Sequence, residues 1–205
     1  ISLLFAIPAA VALAVIADPV IRVLFERGAF GTAETEATAA ALSVYAIGLP
    51  AYVLVKALAP GFFGRGDTAT PVKISVLCLV VNLILNIILM GPYEHVGIAA
   101  ATVVSSWLNA GFLAYVLYRR GCLVIDNRLS RCFPGMVAAS VGMGFALYFS
   151  SGLLAHDLVG STEDRVLALV ILVLGGMVVY GLLVLALRVV QIGDMKSLYR
   201  GGGKT

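Results

Sequence analysis

Charged residues along this chain are separated by six uninterrupted apolar runs, Ile1 to Ala17, Ala37 to Val55, Ile74 to Tyr93, Val96 to Tyr118, Cys132 to Ala155 and Val166 to Leu187. Each approaches or exceeds the roughly 17 to 25 residues that a helix needs to cross the hydrocarbon core of a bilayer. An open sheet would leave backbone groups unpaired in lipid, and barrel strands would read as alternating segments of about ten residues. The pattern predicts an all-α membrane protein with six transmembrane helices.

Composition points the same way. Of the 205 residues, 61% are hydrophobic and 12% charged, with a mean hydropathy of +1.04, whereas soluble domains carry about 25% charged residues. A soluble globular domain, a disordered chain and collagen are all excluded. The chain starts inside an apolar run with no basic n-region and no small-residue cleavage site, so Ile1 reads as a cut through a longer protein rather than the start of a signal peptide. Cys78, Cys122 and Cys132 show no CxxC spacing and suggest neither a disulfide framework nor a metal site.

The net charge of +3 is distributed by topology instead of forming a nucleic-acid patch. Arg65 and Lys73 follow the second run, Arg119, Arg120, Arg128 and Arg131 follow the fourth, and Arg188, Lys196, Arg200 and Lys204 follow the sixth. These ten fall on one side; Arg22, Arg27 and Arg165 fall on the other, and Lys56 interrupts the second run. The positive-inside rule makes the ten-residue side cytoplasmic, so both ends of the chain are expected there.

Pro8 and Pro50 lie inside runs, where each removes a helix hydrogen bond and predicts a kink. Pro71 is expected near the start of the third helix, after the turn-rich Gly64 to Thr68. Val20 to Phe25 reads as a helix end or a short interfacial helix, with Arg22 paired to Glu26 at i,i+4. Thr32 to Thr38 is expected as a polar loop. The terminal Gly201-Gly-Gly-Lys-Thr205 lacks the register of a phosphate-binding loop.

Polar side chains inside such runs are costly in lipid, so they mark contacts or function. Asn82 and Asn86 share one helix face with Cys78; their amides either bond a neighbouring helix or offer oxygens to a hard cation. Gly97, Ala101, Ser105 and Asn109 form a small-residue ridge suited to close packing, with Thr102 and Ser106 beside it. Lys56 either snorkels to the headgroups or lines a polar cavity that attracts an anion. Arg65, Asp67 and Lys73 either pair with one another or meet lipid phosphate. His95 and His156 are expected in exposed outer loops beside Glu94 and Asp157. The apolar cores hold no acidic residue, and no His or Cys pair has ligand spacing, so the chain is not expected to be an enzyme.

Two stretches go beyond hydropathy. Asp18-Pro-Val-Ile-Arg-Val-Leu-Phe-Glu-Arg-Gly-Ala-Phe30, followed after one run by Lys56-Ala-Leu-Ala-Pro-Gly-Phe-Phe-Gly-Arg-Gly-Asp-Thr-Ala-Thr-Pro-Val-Lys73, resembles the MurJ/MviN family of bacterial lipid II flippases. The motif resemblance runs to Arg120; beyond it the two remaining runs match in number and hydropathy. It implies helices nine to fourteen of a fourteen-helix transporter, with residues 1–120 as the last four helices of the C-terminal lobe, 121–131 as a cytoplasmic linker, 132–190 as the terminal helix pair and 191–205 as a cytoplasmic tail.

The same resemblance implies a multi-pass protein of the bacterial inner membrane. Its expected partners are a lipid-linked peptidoglycan precursor, membrane lipid and the remainder of the transporter, helices one to eight. Lobes that rock about a cationic cavity would carry the precursor across, with no nucleic acid involved. Lys56, Arg65 and Lys73 are the candidate substrate-binding residues. A sodium site found in some members maps onto Asn82, Asn86, Ile98 and Thr102, with Asn86 standing where those members have an acid. The alternatives are another exporter of the same superfamily, acting on drugs or polysaccharide-lipid, and a non-transporting membrane scaffold on this fold.

Overall fold

The computed structural model describes residues 2–123, 127–154 and 162–187. The described residues form seven α-helices: α1 (Ser2–Val15), α2 (Ala17–Phe25), α3 (Thr32–Leu58), α4 (Pro60–Phe63), α5 (Ala69–Arg119), α6 (Asn127–Leu153) and α7 (Thr162–Ala186). His156, Asp157 and the tail from Arg188 onward lie outside the described residues.

Four stretches, Thr32–Phe63, Ala69–Arg119, Cys132–Leu153 and Glu163–Ala186, are long and apolar enough to cross a membrane, and the bent pair α1 and α2 makes a fifth. The 51-residue α5 is two crossing segments in one. Asn82 Nδ2 donates to Ser105 Oγ at 3.1 Å, and Asn109 Nδ2 reaches Ser75 Oγ at 3.5 Å. In a straight helix rising 1.5 Å per residue, Ser75 and Asn109 would stand about 50 Å apart. The chain therefore doubles back at Glu94, the non-glycine residue with a positive φ (49°). Close approach at this reversal needs Gly97, because a Cβ there would sit 2.3 Å from the Leu89 carbonyl oxygen. With its two arms counted separately, the six expected segments are present.

One local expectation, the polar loop at Thr32 to Thr38, is corrected. The first helix breaks by 71° at Ile16, and Pro8 sits within α1. Asp18 in the first turn of α2 and Pro19 beside it are helix-start residues, so Val20 to Phe25 belongs to a short helix, one of the two alternatives read from its sequence. Pro50 likewise lies inside continuous α3. Thr32 to Thr38 is the first two turns of α3, not a loop: the Gly31 amide donates to Glu34 Oε2 at 2.9 Å and the Thr35 hydroxyl to the Gly31 carbonyl at 2.9 Å. Helix α6 starts at Asn127, inside the stretch expected as a linker, and its apolar part starts at Cys132.

Helix α1 lies between α3 and α6. Early α1 lies against late α3, whereas Ala17 and Ile21 pack on Ala39, so the two helices are antiparallel. Helix α3 packs on the α5 hairpin, where Trp107 Nε1 donates to the Ile47 carbonyl at 3.2 Å. Helices α6 and α7 pack on each other and on the bent α1–α2 through Ile16, Val23, Met143, Leu147, Ala168 and Leu172. Leu79, Leu83 and Ile87 are 60% or more exposed on one flank of α5. Such an unbroken apolar exterior suits lipid and not water.

Candidate functional site

Three polar features stand out against this apolar bundle. The first is Lys56. Ser2, Phe5, Ala6 and Ala9 along α1 face Leu49, Val53, Lys56 and Ala57 along α3 and enclose a cleft of about 530 Å³. Alanines on both walls leave room that larger side chains would fill. Because the helices are antiparallel, Ser2 and Lys56 lie at one end of the cleft and Ala9 and Leu49 at the other. The result is an apolar groove about 10 Å long with one exposed ammonium at its mouth. Among the described residues Lys56 makes no ion pair.

The second feature is the turn between α4 and α5. Asp67 Oδ1 accepts the Thr70 amide at 2.9 Å and Oδ2 accepts the Thr70 hydroxyl at 2.7 Å, which starts the α5 helix. Arg120, at the far end of the hairpin, donates from Nη1 to Asp67 Oδ2 at 2.6 Å and from Nη2 to Thr70 Oγ1 at 3.2 Å. Its guanidinium lies 5.7 Å from the centre of the Phe62 ring, and Phe62 is 1% exposed among Leu113 and Leu117. The Arg120 and Thr70 bonds hold the Asp67 carboxyl well below the usual carboxylate range. Arg65 and Lys73, which the sequence left open to pairing with Asp67, are both exposed and make no ion pair among the described residues.

The third is the amide cluster inside the hairpin. Hydrogen bonds link Asn82, Asn86, Ile98 and Thr102 into one cluster. Asn82 Nδ2 donates to Ser105 Oγ and, at 3.4 Å, to Thr102 Oγ1; Asn86 Nδ2 donates to Asn82 Oδ1 at 2.9 Å; Thr102 Oγ1 donates to the Ile98 carbonyl at 2.9 Å. Asn86 Oδ1 is buried without a hydrogen-bond partner. The four residues offer neutral oxygens only, and most of these already accept a bond from within the cluster. They do not by themselves make a fitted sodium cage, since such a set binds a monovalent cation weakly. The ridge Gly97, Ala101 and Ser105 is buried against the first arm, which is where the close packing occurs.

Two contacts were not visible in the sequence. Arg22 pairs with Glu26 at 3.3 Å, as its spacing predicts, and also with Asp18 at 3.1 Å. Glu26 in turn accepts from Arg165 Nη1 at 3.3 Å, a residue 139 positions away at the start of α7. Glu26 Oε2 lies within ion-pair distance of Arg22 but lacks the geometry of a hydrogen bond. The Tyr180 hydroxyl donates to the Leu4 carbonyl at 2.7 Å. Both fasten α7 to the bent first helix. No local spacing encodes either one.

Among known proteins, the family described as Lipid II flippase MurJ matches residues 1–169. A probable lipid II flippase MurJ of Rhizobium tropici is 39% identical over 202 residues, which cover 95% of this chain and 37% of the relative. The corresponding protein of Rhizobium meliloti (strain 1021) is 38% identical over 181 residues, 87% of this chain and 34% of the relative. That of Vibrio cholerae is 34% identical over 191 residues, 93% of this chain and 36% of the relative. A solved structure of a lipid II flippase MurJ in an inward closed conformation superposes with a TM-score of 0.69 at 26% identity, covering 88% of this chain and 35% of that one. The chain thus spans little more than a third of the relatives it matches. The similarity also continues past Arg120, where the sequence motifs end.

Proposed function

The chain belongs to the lipid II flippase MurJ family, and from that premise we propose that it works as the C-terminal part of a transporter that carries a lipid-linked peptidoglycan precursor across the bacterial inner membrane. No covalent bond is made or broken. The observation in this chain that supports the proposal is the α1–α3 groove, in which an apolar floor ends at the Lys56 ammonium, unpaired among the described residues. An isoprenoid chain suits the floor and a phosphate suits the mouth.

The ten-to-three asymmetry of basic residues supports a cytoplasmic end for Lys56, Arg65, Lys73 and Arg120 in this reading. An anionic headgroup arriving from the cytoplasmic leaflet meets these cations first. Rocking of the lobe against the rest of the transporter then exposes the same site to the other leaflet, as alternating access requires. Asn82, Asn86, Ile98 and Thr102 are the place in this chain where a sodium ion would bind if an additional charged ligand came from elsewhere in a longer protein. No step above depends on that ion.

The test is complementation. A chimera in which this chain replaces the matching segment of the Rhizobium tropici relative is expected to restore growth to cells depleted of their own flippase. A chimera that reaches the membrane in normal amount and restores no growth would refute the proposal.

A further inference from the structure

Resting on the reading of Arg65 and Lys73 as substrate-facing, we propose that Arg120 is a positioning residue that takes Asp67 away from those two cations, so that the turn between α4 and α5 presents only positive charge to a lipid phosphate. Asp67 lies two residues from Arg65 and six from Lys73 and is the nearest acid to both in the sequence. Left free, it would pair with either cation or repel an incoming phosphate. It is not free. Both of its oxygens are occupied in a closed ring in which Thr70 donates to Asp67 and Arg120 donates to both.

Arg120 is itself held from behind by the buried Phe62 ring, and the Asp67 amide bonds the Phe62 carbonyl at 3.2 Å. The fork of a guanidinium reaches the carboxylate and the hydroxyl at once, which an ammonium would not do. Arg65 and Lys73 stay exposed without an ion pair among the described residues. Arg65, Asp67, Lys73 and Arg120 together carry a formal +2, and the only anion among them is the one whose acceptors are filled.

Masking and a merely mechanical clasp make opposite forecasts for one pair of variants. Asp67→Asn keeps an acceptor for the Thr70 amide and removes the anion; Arg120→Gln removes the mask. If Arg120 masks Asp67, the first raises affinity for anionic lipid and the second lowers it, each by about fivefold for one charge near a membrane surface. The double variant, again at +2, returns to the wild-type value. If the ring only holds the turn in place, both single variants weaken binding and the double variant does not recover.

The measurement uses the whole 205-residue chain in phosphatidylcholine nanodiscs, with Cys78, Cys122 and Cys132 replaced by alanine and an environment-sensitive fluorophore on Thr68→Cys. Phosphatidylglycerol is titrated in one arm and a polyprenyl pyrophosphate in the other. Opposite shifts for Asp67→Asn and Arg120→Gln, recovery in the double variant and convergence of all four curves at high salt are expected. Shifts of the same sign would overturn the proposal. Should Arg120→Gln not fold, Arg120→Lys keeps the charge but cannot hold the carboxylate and the hydroxyl at once, so it is expected to weaken binding in the same direction by a smaller factor, and wild-type affinity there would equally overturn the proposal. Equal affinity for the two lipids, with the opposite shifts intact, supports masking while removing the substrate reading on which Arg65 and Lys73 were chosen.

Discussion

Asp67 shows how much one side chain can be constrained by the geometry of distant helix ends. Its folded-state pKa lies below the unfolded value of about 3.9, so the stability it contributes is present in full above that value and is lost as pH falls through it towards the folded pKa. The gap in melting temperature between wild type and Asp67→Asn is therefore expected to be constant from about pH 8 to about pH 5 and to close below about pH 4. A gap that closes near neutrality would mean that another group is titrating. The ion pair was within reach of the sequence in one respect: Asp67 and Arg120 lie 27 and 26 residues either side of Glu94, so a hairpin reversing there sets them opposite each other. Reading Glu94 as part of an outer loop, without fixing the reversal point, hid that register. Arg22 and Glu26 were legible because the spacing of four is local, whereas Arg165 reaches Glu26 only through tertiary packing.

At the scale of the helices, the apolar runs foretold the segments because a lipid-facing helix must be apolar along its whole length. Their ends and breaks were harder to read. Pro8 and Pro50 are accommodated inside helices, while the 71° bend at Ile16 depends on α2 packing Ile21 on Ala39 and Val23 on α6 and α7. The α5 hairpin is the element whose interior polarity was most informative, since Asn82 is bonded across it to Ser105 and Thr102. Asn82→Ala is expected to lower stability by roughly 0.5 to 2 kcal/mol, the range for interhelical bonds in membranes. The loss should be equal in sodium and potassium buffers of the same ionic strength. Melting curves in which sodium alone stabilises wild type, and this gain disappears in Asn82→Ala, would make the cluster a cation site instead, because binding to the native state adds stability by mass action.

Across the whole molecule, α7 is joined to the bent first helix towards both of its ends, by the Tyr180 bond to the Leu4 carbonyl and by the Arg165 pair with Glu26, and α6 packs on the same helix. Between them, Gly144 admits Val11, whose Cγ1 would lie 2.7 Å from an added Cβ. The described helices thus form one packed body, in which α6 and α7 are fastened to the bent first helix. Membrane class and family were legible in hydropathy and two motifs. The groove at Lys56 was not, because it depends on which faces of α1 and α3 meet. The most direct test measures translocation itself: in cells whose only flippase is the Rhizobium tropici chimera, the share of lipid-linked precursor exposed on the outer face is followed after new synthesis is labelled. The chimera is expected to expose precursor, and its Lys56→Met variant, inserted equally well, to do so at least fivefold more slowly. Absence of exposed precursor in the chimera, or an undiminished rate with Lys56→Met, would contradict a cation-led flipping path through this chain.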